Sequence, residues 1–159
     1  MPLQFATTGI EHNQEKYLLS DGSIIYCSLV DTGGTERFRA INENYFRKAD
    51  GCILVYDITN EKSFEEIKEK CIKNIKTILL GNKKDKENER VISEEEGLTL
   101  ALENQFMFKE TTCTEKSNVF NAFQIIIEFT NFDMKKRKRN DNETIKINKK
   151  AHKKKKKCC

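Results

Sequence analysis

The sequence predicts an α/β fold with a mostly parallel sheet, preceded by one antiparallel hairpin. The hairpin is indicated at residues 10–19 and 24–30, which are two strand-like runs with Asp21 and Gly22 between them. Asp-Gly between two such runs is typical of a tight turn, because glycine adopts a positive φ without steric cost.

The parallel sheet is indicated by three short apolar runs at residues 52–56, 78–80 and 106–108. Continuous apolar runs of this length are typical of strands that are buried on both faces. We therefore expect three central strands in the second half of the fold.

Helical patterns alternate with these runs, at residues 63–73, 93–104 and 118–132. Ser93 followed by Glu96 predicts a capping box at the start of the second helix. Alternating strands and helices favour a parallel sheet, in which ligands bind at the carboxyl ends of the strands.

The positive charge of the chain is concentrated at its C-terminal end. Residues 135–159 hold 13 Lys or Arg and two acids, whereas the rest of the chain holds 16 basic and 23 acidic residues. Hydrophobicity falls from Met134 onward, so this segment cannot bury enough apolar surface to offset its ordering entropy. We expect one domain at residues 1–133 and a disordered polybasic tail at 134–159, with an anionic partner for the tail.

Two polar segments that follow predicted strands have chemistry suited to a nucleotide. Asp31 can hold Mg²⁺ through water, and the backbone N–H of Gly34 can approach a phosphate oxygen. Asp85 can accept two hydrogen bonds from the edge of a guanine, which adenine cannot donate, with Asn82 bracing the loops and the stem of Lys83 along the base. Each segment taken alone is also an ordinary polar turn.

A third segment, at residues 110–113, follows the run at 106–108. The backbone of Thr112 and Cys113 could close over the guanine carbonyl. Taken alone, this segment is simply a loop.

Four segments together resemble successive signatures of the Rab family of small GTPases, in the family's order. They are VDTGGTERFRAI at 30–41, YFRKADGCILVYDIT at 45–59, GNKKD at 81–85 and ETTCTEKSNV at 110–119. FATTGIE at 5–11 resembles the switch I segment of the family. The resemblance implies a P-loop NTPase-like small GTPase domain that binds GTP or GDP with Mg²⁺.

The resemblance also implies roles for individual residues. Thr7 and Asp31 would be metal ligands, and Thr7 and Gly34 would contact the phosphates. Asn82, Lys83, Asp85, Thr112 and Cys113 would surround the base.

The sequence departs from the family at its phosphate loop. That loop reads G-x-x-x-x-G-K-[ST], and none of the seven glycines here is followed by Lys. We therefore expect a partial domain without its first strand, phosphate loop and first helix. Two explanations stay open: the sequence is part of a complete but divergent family member, or it is a specialised relative that binds no nucleotide.

A second departure lies at Thr35, which occupies the position of the glutamine that orients the attacking water in the family. A threonine side chain is shorter and has no amide, so hydrolysis should be slow. The sequence leaves open whether the chain is an enzyme.

The last two residues, Cys158 and Cys159, resemble the doubly geranylgeranylated end of many Rab proteins. Two lipid chains and a polybasic stretch anchor a protein stably to an anionic membrane. The resemblance implies a prenylation escort, a geranylgeranyl transferase and the cytoplasmic face of intracellular membranes. A nuclear-localisation run and a solvated basic tail are the alternatives; nucleic-acid binding is not expected, because the body lacks interleaved aromatic and basic residues.

Two functional hypotheses follow. The first is a guanine-nucleotide switch in vesicle traffic that recruits effector proteins. The second is a lipidated interaction module that binds no nucleotide.

Overall fold

The computed structural model describes residues 10–32, 48–69 and 75–155. Within these ranges the chain forms five strands, three α-helices and one 3-10 helix. The strands are β1 Ile10–Leu18, β2 Ile24–Thr32, β3 Gly51–Asp57, β4 Lys76–Asn82 and β5 Met107–Glu110. The helices are α1 Glu61–Lys68, α2 Glu94–Asn104 and α3 Lys116–Lys155, with the 3-10 helix at Lys84–Glu89.

The predicted hairpin is confirmed. Strands β1 and β2 pair antiparallel, and the Gly22 N–H donates to the Leu19 carbonyl oxygen at 3.0 Å across the turn. Gly22 has a φ of 79°, which a glycine adopts without steric cost. Strand β2 continues to Thr32, so Asp31 lies within the strand and not in the turn that was expected to begin there.

The predicted parallel sheet is also confirmed, in the order β3-β4-β5 with β4 in the centre. Among the described residues, the hairpin forms a separate two-stranded sheet. The fold is therefore mixed α/β, as the alternation of strands and helices predicts.

Two clusters of buried apolar side chains cover opposite faces of the parallel sheet, because successive residues of a strand point to opposite sides. One cluster joins the sheet to α1 and α2 through Leu54, Tyr56, Phe64, Ile67, Leu79, Leu100 and Ala101, among others. The other joins it to α3 and the hairpin through Tyr17, Leu19, Ile78, Leu80, Ala122, Ile126 and Ile127. Helix α3 therefore lies between the two sheets' apolar surfaces.

Strand β4 is buried on both faces, as predicted, but β3 is not. On the face of β3 toward α3, Ile53 packs into the core whereas Val55 is 53% exposed. The prediction was wrong for this strand because β3 pairs with β4 alone among the described strands and is an edge.

Helices α1 and α2 begin at side-chain caps. Asn60 accepts from the Ser63 N–H at the start of α1, which ends at Lys68; the predicted end of this helix, in residues 70–73, lies outside the described residues. The predicted capping box of α2 is confirmed: the Ser93 hydroxyl accepts from the Glu96 N–H at 3.2 Å, and the Glu96 carboxylate accepts from the Ser93 N–H at 2.8 Å.

Helix α3 differs from the prediction at its end. The sequence pattern places that end at residue 132, whereas the helix continues to Lys155. The expectation of a disordered tail at 134–159 stays a prediction. Residues 133–155 contain no Gly or Pro, and Lys and Arg are good helix formers, so nothing in this stretch breaks the helix. In the described part of the chain, no helix combines the length and apolar content needed to cross a membrane.

Candidate nucleotide-binding site

The predicted base-reading residues lie at one edge of the parallel sheet. In the register of the sheet, Asp57 at the end of β3 is opposite Asn82 at the end of β4, and Gly81 is opposite Glu110 at the end of β5. Parallel strands place their carboxyl ends together, and ligands bind at this edge in open α/β sheets. The structure thus brings together three loops that are far apart in sequence.

Asp85 and Thr112 meet across two of these loops. The Thr112 hydroxyl donates a short hydrogen bond to Asp85 Oδ1, and the Thr114 N–H donates to the Thr112 hydroxyl oxygen at 3.2 Å. Thr112 is buried whereas Asp85 is exposed. A carboxylate has about four lone-pair sites, so Asp85 keeps capacity to accept from a ligand while Thr112 holds it in place.

Further hydrogen bonds join the same two loops. The Cys113 thiol donates to Asn82 Oδ1 at 3.3 Å. The Lys84 N–H donates to the Thr111 carbonyl oxygen at 3.1 Å, and the Thr111 N–H donates to the Gly81 carbonyl oxygen at 2.8 Å. These bonds fix the loop after β5 against residues 81–84, which directly precede Asp85.

Lys83 is held by an ion pair with Asp57. Its backbone is left-handed, with φ of 70°, and its ammonium lies 2.6 Å from Asp57 Oδ2. Asp57 Oδ1 accepts from the Thr59 N–H at 2.9 Å and from the Thr59 hydroxyl at 2.7 Å. With its charge paired in this way, Lys83 offers a ligand chiefly the apolar stem of its side chain.

The electrostatics of this pair follow from its contacts. Burial raises the pKa of Asp57, but the hydrogen bonds from Lys83 and Thr59 outweigh it, and the pKa lies below its ordinary value. The hydrogen bond to Asp57 raises the pKa of Lys83. Both groups are therefore charged at neutral pH.

Of the remaining predicted residues, the structure describes Asp31 alone. Asp31 is exposed on β2, in the hairpin sheet, and so is not in the cluster at the end of β4 and β5. The predicted positions Thr7, Gly34, Thr35, Cys158 and Cys159 lie outside the described residues. Their assigned roles stay predictions.

The chemistry of the described residues fits a guanine better than it fits a metal. Asp85 is an exposed acceptor that the Thr112 hydroxyl holds in position. Such an acceptor matches the paired donors of a guanine edge. Within the described ranges, no group of three His, Cys, Asp or Glu side chains could hold a metal ion. Asp31 is the one described residue of the two predicted Mg²⁺ ligands, so the described residues do not make a Mg²⁺ site by themselves.

Sequence reasoning missed three residues that support this site. Asp57 pairs with Lys83, and Arg90 pairs with Glu110. A signal was present for two of them: Asp57 and Glu110 are acids that follow predicted strands, and a charge that is withdrawn from water requires a partner. The identity of each partner depends on the fold, which the local sequence does not give.

Comparison with known proteins agrees with this geometry. A model of the Ras family matches residues 3–131. The chain is 39% identical over 129 residues to the Ras-related protein RABA5b of Arabidopsis thaliana, which covers 77% of this chain and 59% of that protein. It is 44% identical over 110 residues to the Ras-related protein Rab-8A of Pongo abelii, covering 65% of this chain and 53% of that protein.

A fungal relative gives the same result. The GTP-binding protein ypt3 of Schizosaccharomyces pombe is 39% identical over 129 residues, covering 77% of this chain and 60% of that protein. The chain therefore spans between 53% and 60% of the length of these three relatives. With a family match over residues 3–131 and relatives that are Rab proteins, this chain belongs to the Ras family and is a Rab-like small GTPase by sequence.

Proposed function

We propose that this chain is a guanine-nucleotide-binding switch of intracellular vesicle traffic with weak or absent GTP hydrolysis. The observation that carries the proposal is the placement of Asp85, exposed at the carboxyl edge of the parallel sheet and held there by buried Thr112. The Rab names of its relatives support the biological setting.

The chemistry of base recognition follows from this placement. Asp85 accepts from guanine N1–H and from the exocyclic amine, a donor pair that adenine lacks, so the site discriminates between the two bases. Lys83, its ammonium paired with Asp57, packs its stem along the base. Asn82 holds the loop that carries Cys113, whose backbone closes over the guanine carbonyl.

The switch itself involves segments outside the described residues. GTP orders the segments around Thr7 and at residues 34–47 through contacts with the γ-phosphate and Mg²⁺, which exposes a surface for effectors. Loss of the γ-phosphate releases them. Thr35 has no amide to orient a water, so the bound state persists longer than in a relative with glutamine there.

Membrane attachment is the second part of the proposal. A prenylation escort presents the chain to a geranylgeranyl transferase, which modifies Cys158 and Cys159. The basic residues at 135–157 then contact an anionic leaflet, at about 1 kcal/mol for each Lys or Arg near the surface. This places the protein on the cytoplasmic face of intracellular membranes.

The test is the substitution Asp85→Ala, with GTP and ATP binding measured by equilibrium titration. We expect the unmodified chain to prefer GTP, and the variant to lose that preference because its acceptor is gone. Glu89→Ala is the matched control, because Glu89 is an exposed acid of the same 3-10 helix and pairs with Lys86. Unchanged GTP affinity in Asp85→Ala would contradict the assignment.

A second function is favoured by one feature of the sequence: no glycine is followed by Lys, so a G-x-x-x-x-G-K-[ST] loop is not found in it. In this alternative the chain is a lipidated interaction module that binds no nucleotide. Capture of the prenylation escort by the nucleotide-free chain would support it. Loss of both the escort interaction and membrane attachment would exclude it.

A further inference from the structure

A bidentate ion pair between Arg90 and Glu110 joins the end of the loop after β4 to the end of β5. Arg90 follows the 3-10 helix that carries Asp85, and Glu110 is the last residue of β5, two residues before Thr112. Arg90 Nη1 lies 2.7 Å from Glu110 Oε1, and Nη2 lies 2.9 Å from Oε2. Two parallel bonds of this kind fix angle as well as distance.

The pair is buried, and further contacts complete its hydrogen bonding. The Glu110 side chain is 1% exposed and the Arg90 side chain 15% exposed. Arg90 also donates to both oxygens of Glu87, at 2.8 and 2.7 Å, and to the Ile92 carbonyl oxygen at 2.9 Å. Lys84 Nζ lies 3.5 Å from Glu110 Oε2. The guanidinium is thus held between two carboxylates, one in the 3-10 helix and one at the end of β5.

Stability alone does not account for such a pair. The desolvation of two buried charges roughly cancels their attraction, and apolar replacements of similar volume are often as stable. An apolar contact does not fix the position of one loop relative to the other. The guanidinium does fix it, because all of its donors lie in one rigid plane.

We propose that Arg90 and Glu110 are positioning residues for guanine recognition. They hold the loop after β5 in the position where the Thr112 hydroxyl donates to Asp85. The lone pairs of Asp85 that Thr112 does not use then face the base. This inference rests on the proposed function, because it names the residues that align the base-reading site. Neither residue touches the base itself.

Two variants test the proposal on the full chain. Arg90→Lys keeps the charge but removes the planar fork. The double variant Arg90→Met/Glu110→Leu removes both charges together, so that no buried charge is left without a partner. Lys68→Met is the matched control, because Lys68 pairs with Glu65 on the exposed surface of α1, away from the loops.

The readout is the ratio of affinities for guanosine diphosphate and inosine diphosphate. Inosine diphosphate lacks the exocyclic amine, so this ratio reports how well Asp85 faces the base. We expect both Arg90 variants to lower the ratio by about tenfold, the effect of one misplaced hydrogen bond, and Lys68→Met to leave it unchanged. Equal losses for both nucleotides, with the ratio retained, would overturn the proposal, because they indicate a general loss of stability.

A second measurement does not depend on nucleotide. The Lys84 N–H is bonded to the Thr111 carbonyl oxygen across the two loops, so its hydrogen exchange reports their register. In the Arg90 variants we expect faster exchange at Lys84 and unchanged exchange at Leu79 in the centre of β4. Unchanged exchange at Lys84 would overturn the positioning role. If the unmodified chain shows no preference for guanine, the proposed function fails, and exchange alone then decides whether the pair positions these loops.

Discussion

At the scale of single residues, Tyr56 has a hydroxyl in an unfavourable environment. Its side chain is 1% exposed, and its hydroxyl has no hydrogen-bond partner among the described residues. Burial, together with the nearby charge of Glu110, raises the pKa of Tyr56 to about 12. The ring fills the core between β3 and α1, where it packs against Phe64 at 4.8 Å, but the hydroxyl contributes no bond in return for its lost hydration.

The substitution Tyr56→Phe should therefore stabilise the fold. Removing a buried hydroxyl without a partner should raise the free energy of unfolding by about 1 kcal/mol, measured by urea denaturation. Tyr56→Ala should instead lower it by roughly 3–5 kcal/mol, because it empties the space of the ring. A clear destabilisation by Tyr56→Phe would show that the hydroxyl has a hydrogen-bond partner after all.

The ion pair between Asp57 and Lys83 should make stability depend on pH. The folded pKa of Asp57 lies below its ordinary 3.8, so its contribution is complete above about pH 5 and is lost as the pH falls through the folded pKa. We expect Asp57→Asn to lower the urea midpoint at pH 7, and the difference from the unmodified chain to shrink steadily below pH 4 or so. A difference that stays constant between pH 7 and about pH 2 would contradict this account of the pair.

At the scale of elements, α2 packs closely on the sheet at Gly97. A Cβ placed on Gly97 would collide with the Tyr56 hydroxyl and would lie 2.8 Å from Phe108 Cε2. The glycine thus allows the first turn of α2 to approach the sheet edge that carries the candidate site. A helix interior normally favours alanine over glycine by about 1 kcal/mol, so this position is an exception that packing explains.

Gly97→Ala should lower the free energy of unfolding by roughly 1–3 kcal/mol, the range for overpacking a core. Combining it with Tyr56→Phe should recover part of the loss, because the atom closest to the added Cβ is then removed. Thr99→Ala is the matched control on the exposed side of the same helix and should be neutral or slightly stabilising. If Gly97→Ala behaved like Thr99→Ala, the close packing described here would be wrong.

The elements that the sequence predicted well are those with local signals. The hairpin turn depends on Gly22, and the start of α2 depends on Ser93 and Glu96, three residues apart. The exposure of Val55 was missed because it depends on which strands pair and what α3 covers. The end of α3 was placed too early because hydrophobicity predicts where a helix packs, not where its backbone stops being helical.

At the scale of the whole molecule, α3 joins the hairpin to the parallel sheet. The Gln124 amide donates to the Leu18 carbonyl oxygen at 2.8 Å, and Glu128 accepts from the Ser20 N–H at 3.0 Å. The rings of Tyr17 and Phe120 stack with centroids 5.8 Å apart. Among the described residues, the hairpin is therefore attached through the helix and not by strand pairing.

The candidate site was only partly predictable for the same reason. Asn82, Lys83 and Asp85 could be chosen because they follow a buried strand, and Thr112 because it follows another. The contacts that brace them connect residues 20 or more positions apart: Arg90 and Glu110 differ by 20 positions, and Asp85 and Thr112 by 27. Such contacts are set by the sheet register, which is known once the strands are paired.

The most direct test of the central claim, that this chain reads guanine through Asp85, is the base preference of Asp85→Asn. The asparagine oxygen can still accept from Thr112, but its amide donates where the carboxylate accepted. It should therefore disfavour the exocyclic amine of guanine and favour the carbonyl group that xanthine carries at that position. We expect the unmodified chain to bind guanosine diphosphate over xanthosine diphosphate, and Asp85→Asn to reverse the order. The same order of affinities in both proteins, or no binding of either nucleotide to the unmodified chain, would contradict the claim that Asp85 reads guanine.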